Sequence, residues 1–171
     1  MQYSITHEAS FKHLEVYSLT PVGESTSLFI EFRDRIALEH PEKLTHILSC
    51  LEQLGKRGAL ISLLRNEQSG SELLAIPKKN YKTPPTYQKD GLPSKNMLRL
   101  YCHRLNENVL FVFSGGLKTT NDPLKCPNVK QHFLNGQDFC NAIDRAIQEN
   151  EIYWIDDYTD IDCEDNFIIE L

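Results

Sequence analysis

The stretch LRLYCHRLNENVLFVFSGGLKTT, residues 98–120, constrains the fold more than any other part of the chain. Residues 98–105 and 109–114 are dense in branched and aromatic side chains and flank Asn106, Glu107 and Asn108. Asparagine tolerates the left-handed backbone of short connections, so an antiparallel hairpin is expected here. Symmetric closure would pair Leu105 with Val109, His103 with Phe111, Tyr101 with Phe113 and Arg99 with Gly115. A bulge would shift the pairing by one residue. Arg99 then lies at the open end of the hairpin, where the chain leaves Gly116 and presents Lys118. Arg104 is five residues away, about 17 Å along a strand and on the opposite face, so it is expected outside any site that Arg99 helps to form.

Two neighbouring cations beside Gly115 and Gly116 suit a phosphate. Arginine offers a planar fork, lysine can stabilise an oxyanion or donate a proton, and glycine leaves room for a ligand to approach. The competing reading is that both cations are solvated or paired with local acids, and that the glycines merely serve a turn or bulge.

The flanking sequence is expected to complete an α+β domain. Leu14–Leu19 alternates as a half-buried strand. Thr20 and Pro21 read as a cap and first helical position. Leu28, Phe29, Phe32, Ile36 and Leu38 predict a helix from Pro21 or Thr26 to Glu39. Leu44, Ile47, Leu48, Leu51 and Leu54 predict a second, starting at Pro41 and closed by Gly55. So short a junction implies antiparallel helices sharing one sheet-facing surface.

ALISLLRN and SELLAIPK, separated by the turn-rich NEQSGS, read as paired strands, although the first fits a half-turn of helix equally. Residues 79–95 are rich in Pro, Gly and Lys and read as a surface loop. Phe139, Ile143, Ala146 and Ile147 predict a third helix, with strand segments at YWI and FIIEL beyond it. The expected division is a domain over 1–136 and a C-terminal helix with an acidic extension over 137–171.

Composition narrows the function classes. The chain has 171 residues and is 40% hydrophobic, which suits one ordinary core. No stretch reaches the roughly twenty apolar residues of a membrane span, and the first residues lack a secretion pattern, so a cytoplasmic location is expected. Five cysteines without CxxC spacing favour reduced, buried thiols over a zinc or disulfide framework. The net charge of −6 is uneven. Residues 151–171 hold eight acids and no Lys or Arg, against 18 basic and 16 acidic residues before them, so the body is +2 and the tail −8.

The order strand, two helices, then a late sheet closing on RLYCHRLNENVLFVFSGGLK resembles the RelE/HigB superfamily of toxins, small ribosome-associated ribonucleases of toxin–antitoxin pairs. The resemblance covers roughly residues 14–120, most specifically LEVYSLTPVGE, LRLYC and FSGGLK. It implies a RelE-like antiparallel sheet against an N-terminal helical hairpin, and a hydrolase that cleaves mRNA. It assigns Arg99 to the scissile phosphate and Lys118 to the oxyanion or the leaving 5′-oxygen. The 2′-hydroxyl would be the nucleophile and a cyclic phosphate the product, with neither metal nor cofactor. mRNA, the ribosome and an antitoxin are the implied partners. Arg65, just after ALISLL, would add a backbone contact. The general base is unassigned, and His132 is the only histidine after the last strand.

Two further segments bear on RNA. The loop KKNYKTPPTYQK interleaves Lys78, Lys79, Lys82 and Lys89 with Tyr81 and Tyr87, a composition suited to gripping single-stranded RNA by charge and stacking, or simply to a solvated loop with its tyrosines packed on the body. The acidic tail lacks the central glycine of a calcium loop. It would either fold back onto the cations as an RNA mimic or merely add solubility. Cys102 and His103 are adjacent on a strand and point to opposite faces, which excludes a nucleophile and base pair. The alternative to a nuclease is a non-catalytic RelE-fold interaction protein that binds a protein partner.

Overall fold

The structure is a computed structural model that describes residues 1–171. It is an α+β protein with three helices, a six-stranded mixed sheet and two small hairpins. Strands come first. β1 (Gln2–Ser10) and β2 (Glu15–Pro21) form an antiparallel hairpin ahead of the helices, so the expected N-terminal helical hairpin is corrected to a β-hairpin. Thr20 and Pro21 end β2 instead of capping a helix.

Helix α1 (Leu28–Glu39) starts at Ser27, whose hydroxyl accepts from the Ile30 N–H at 3.2 Å. Phe29, Phe32 and Ile36 face the sheet, whereas Leu38 is 90% exposed. Pro41 opens α2 (Pro41–Arg57), which buries Leu44, Ile47, Leu51 and Leu54. The left-handed residue past this helix is Gly58, at φ +91°, not Gly55, which stays inside it against Phe11. ALISLL forms a single 3-10 turn at Ile61–Leu63, and Arg65 then bridges to Ala75 of β3 (Leu74–Ile76).

The loop that follows contains a small hairpin, β4 (Tyr87–Lys89) and β5 (Leu92–Ser94). The long hairpin is β6 (Leu98–Arg104) and β7 (Val109–Leu117). Helix α3 (Lys130–Gln148) crosses position 136/137, and β8 (Ile152–Ile155), β9 (Asp160–Cys163) and β10 (Ile169–Glu170) complete the chain.

The main sheet runs β10-β1-β2-β7-β6-β3. β2 joins β7 in parallel, so the sheet is mixed and not purely antiparallel. β7 is buried on both faces, which is why VLFVF reads as a continuous apolar run. One face carries α1 and α2 over Val16, Leu100, Cys102, Leu110 and Val112. The other carries α3 and the β8–β9 hairpin over Tyr17, Tyr101, Phe111 and Phe113, with Ile152, Ile161 and Ile169 in the same core. The acidic tail is thus held on the α3 face and along the β10–β1 edge, and contributes nothing to the lining of the cationic cavity at the opposite edge. No helix is long and apolar enough to cross a membrane.

Candidate functional site

The hairpin pairs His103 with Phe111 as symmetric closure requires, then departs from it. Cys102 pairs with Val112 but Leu100 with Gly115, so Phe113 and Ser114 stand together opposite Tyr101 as a bulge. Beyond a bulge the register shifts by one, and a one-residue shift moves each side chain to the other face. Arg99 therefore pairs with Gly116, and the Lys118 N–H donates to the Met97 carbonyl at 2.8 Å. Lys118 lies diagonal to Arg99 on the same face. Without the bulge it would oppose Asn96 and point away.

Both glycines serve this geometry. A Cβ on Gly115 would collide with the Arg99 carbonyl, and one on Gly116 would lie 2.7 Å from the Asn128 carbonyl oxygen. Protein backbone, not a ligand, fills the space they leave. The Arg35 guanidinium donates to the Gly115 carbonyl at 2.8 Å and holds the bulge from the α1 side.

Arg99 is 3% exposed and Lys118 6%, and both meet one carboxylate. Glu67 Oε2 accepts from Arg99 Nε at 3.1 Å and from Lys118 Nζ, while Oε1 accepts from the Tyr101 hydroxyl at 2.9 Å. Arg99 Nη1 donates to the carbonyls of Asn96 at 2.7 Å and Leu98 at 3.0 Å. Arg99 Nη2 and two Lys118 protons are left for a ligand. Burial pushes the Glu67 carboxyl up, but Lys118, Arg99 and Tyr101 outweigh it, so the group is held below the usual carboxylate range. Burial and then the Glu67 charge push the Tyr101 phenol well up, so it donates as a neutral hydroxyl.

A cavity of about 390 Å³ opens above this trio. Six basic residues line it, Arg65, Lys78, Lys79, Lys95, Arg99 and Lys118, and Glu67 is its sole carboxylate. Arg65 ties the loop to the sheet, with Nε donating to the Pro77 carbonyl at 2.9 Å and Nη2 to that of Lys78 at 3.2 Å. Burial and the Arg99 charge lower its guanidinium to about 10, which leaves it cationic at neutral pH.

Tyr81 also lines the cavity. Lys95 Nζ stands 5.8 Å from its ring centroid and Lys82 Nζ 5.9 Å, with Lys82 itself outside the lining. Of the nine residues that the sequence singled out, the fold gathers Arg65, Lys78, Lys79, Tyr81, Arg99 and Lys118 at one cavity, sets Lys82 beside Tyr81 outside the lining, and carries Tyr87 and Lys89 away on β4. Arg104 is elsewhere, bound to the Ala59 carbonyl.

Among the cavity residues that the sequence did not single out are His46, Glu67, Lys95 and Asn96. His46 Nδ1 accepts from the Asn96 amide at 2.9 Å, which leaves Nε2–H to donate to the Pro85 carbonyl at 3.0 Å and pin the loop to α2. Burial is the main cause lowering the imidazole pKa, so it is neutral and has no free nitrogen. Cys102 faces the α1–α2 core, while His103 Nε2 is 2.7 Å from Asp144 Oδ1 across the sheet. His132 on α3 lies outside the cavity, with burial and Arg35 lowering its pKa. No family model, curated protein or solved structure matches this chain.

Proposed function

We propose that this chain is a RelE/HigB-like protein that binds RNA at the cationic cavity and cleaves it as a metal-independent endoribonuclease, acting at the ribosome under an antitoxin's control. From β2 to β7 the order strand, two helices, then a sheet closing on Arg99 and Lys118 supports this reading. The observation that carries it is that Arg99 and Lys118 converge on a single anionic oxygen, Glu67 Oε2. A phosphate oxygen near that point would accept from both.

In this reading the ribose 2′-oxygen attacks phosphorus and the bond to the 5′-oxygen breaks, giving a 2′,3′-cyclic phosphate and a 5′-hydroxyl. Arg99 Nη2 and Lys118 Nζ stabilise the charge that develops on the non-bridging oxygens, and Lys118 protonates the leaving oxygen. The 2′-hydroxyl proton goes to solvent, because His46 has both nitrogens engaged and the Glu67 carboxyl, held below the usual range by Lys118, Arg99 and Tyr101 against the effect of burial, is a weak base. Arg65, Lys78, Lys79 and Lys82 contact flanking phosphates, and Tyr81 offers a ring to a base.

A second reading, a non-catalytic RelE-fold protein that binds a protein partner, is favoured by the same carboxylate, since Glu67 already neutralises one of the two cations. The test is cleavage of mRNA in a cell-free translation mixture by the intact chain, Arg99→Ala and Lys118→Ala. The nuclease reading expects cleavage that falls about 100- to 1,000-fold in Lys118→Ala, the usual cost of one oxyanion donor. Failure of the folded, intact chain to cleave refutes it in favour of the second reading.

A further inference from the structure

The inner site has an unusual charge for a phosphate-binding group. Arg99 and Lys118 contribute +2 and Glu67 −1, so the trio is +1 overall. Tyr101 adds a neutral donor. A phosphodiester inside a chain carries one negative charge and brings this group to neutrality. A terminal phosphomonoester carries about −1.5 to −2 at neutral pH, its second pKa being about 6. It would leave a surplus negative charge within hydrogen-bonding reach of a carboxylate whose side chain is only 2% exposed. Water cannot screen that repulsion as it does at a surface.

We infer that Glu67 is a specificity-determining residue that matches the charge of the inner site to an internal phosphodiester and rejects terminal phosphates and free phosphate. The inference rests on the RNA reading of the cavity and deepens it, giving the site a reason to act within a chain and not at its end. The carboxylate subtracts one unit of charge from the cations that touch the scissile group. The cations outside the trio, Arg65, Lys78, Lys79 and Lys95, have no carboxylate partner and hold neighbouring phosphates without that discrimination.

The experiment uses the full chain and displaces a labelled single-stranded oligoribonucleotide. One competitor is the 2′-O-methyl dinucleotide UpU, which has one diester, no terminal phosphate and no nucleophile. The others are uridine 3′-monophosphate and inorganic phosphate. The intact chain is expected to prefer UpU. Glu67→Gln, which makes the trio +2 and keeps the side-chain shape, is expected to bind the monophosphate at least about tenfold more tightly, the low end for one charge-assisted contact.

A second measurement needs no variant and so does not depend on Glu67→Gln folding. In the intact chain the affinity for uridine 3′-monophosphate relative to UpU should fall as pH rises from 5 to 8, while the monoester acquires its second charge. Around Glu67, Arg65 stays cationic across that range and Tyr101 stays a neutral donor. His46, on the α2 side, has both ring nitrogens engaged and is kept neutral by its burial, so it adds no charge to the site.

Equal affinity of the intact chain for the two competitors, or a ratio indifferent to pH, would overturn the inference while leaving RNA binding intact. So would a folded Glu67→Gln that gains nothing for the monophosphate. Failure of the oligoribonucleotide itself to bind would instead remove the RNA reading beneath it.

Discussion

Replacing Glu67 with alanine should make the protein less stable and its cavity more attractive to anions. The substitution strips Arg99 and Lys118 of their shared partner and leaves the Tyr101 hydroxyl without an acceptor. Breaking a buried pair from one side costs about 3–5 kcal/mol. The low end applies here, because Arg99 Nη1 keeps the Asn96 and Leu98 carbonyls and Lys118 can turn into the open cavity. For a chain of this size about 3 kcal/mol corresponds to a fall in Tm of roughly 6–12 °C.

Adding inorganic phosphate should restore part of the loss, since a ligand at 100 times its Kd contributes about 2.7 kcal/mol. The intact protein should gain much less. Acid provides a parallel check. The Glu67 carboxyl is held below its ordinary value, so its contribution is present above the unfolded pKa of about 4.3 and is lost as pH falls through the folded value. The unfolding curve of Glu67→Ala should therefore begin to approach that of the parent as pH falls below the unfolded value of about 4.3, and draw closer as the acid titrates the folded carboxylate. An unchanged Tm at neutral pH, or equal phosphate stabilisation of both proteins, would refute this account of the trio.

Ending the chain at Asn150 should not release an inhibited site. It removes the buried Ile152, Ile161 and Ile169, a loss of about 5–9 kcal/mol and comparable to the whole stability of a domain. Insoluble product or loss of a cooperative melt is expected, and a stable, more active fragment would contradict the observed docking of the tail. Gly115→Ala forces a Cβ onto the Arg99 carbonyl, at a cost of about 1–3 kcal/mol. It should also loosen Arg99 from Lys118, seen as a lowered Tm together with weaker RNA binding.

Much of the helical part was legible because its periodicity is strong. Leu44, Ile47, Leu51 and Leu54 in α2, and Phe139, Ile143 and Ala146 in α3, all face the core. Strand β1 was not legible, since QYSITHEAS buries little beyond Tyr3 and carries no clear alternation. The hairpin register followed from the turn as far as His103 and Phe111. The bulge beyond it depends on Arg35 and on the packing of both glycines, which no local pattern encodes.

Glu67 was hidden for a related reason. It is one acid in a polar turn, and its partners lie 32, 34 and 51 residues downstream. In the tail the acidic residues are conspicuous in the sequence, and the isoleucines among them are not. Desolvating Ile152, Ile161 and Ile169 decides where the segment sits, and the carboxylates follow to the surface around them.

The parallel register of β2 on β7 bears on how quickly the protein reaches its native state. Setting Glu15–Tyr17 beside Val109–Phe111 joins residues about 94 positions apart, an entropic cost of about 4 kcal/mol from chain length alone. The α1–α2 pair and the β6–β7 hairpin close over far shorter loops and can form early. Refolding should accordingly be limited by the docking of the β1–β2 ribbon, in the slower range of mixed α/β chains. Until then the apolar flank of β7 that awaits β2 lies open to another chain, so dilution and low temperature during refolding should favour recovery of monomer over aggregate.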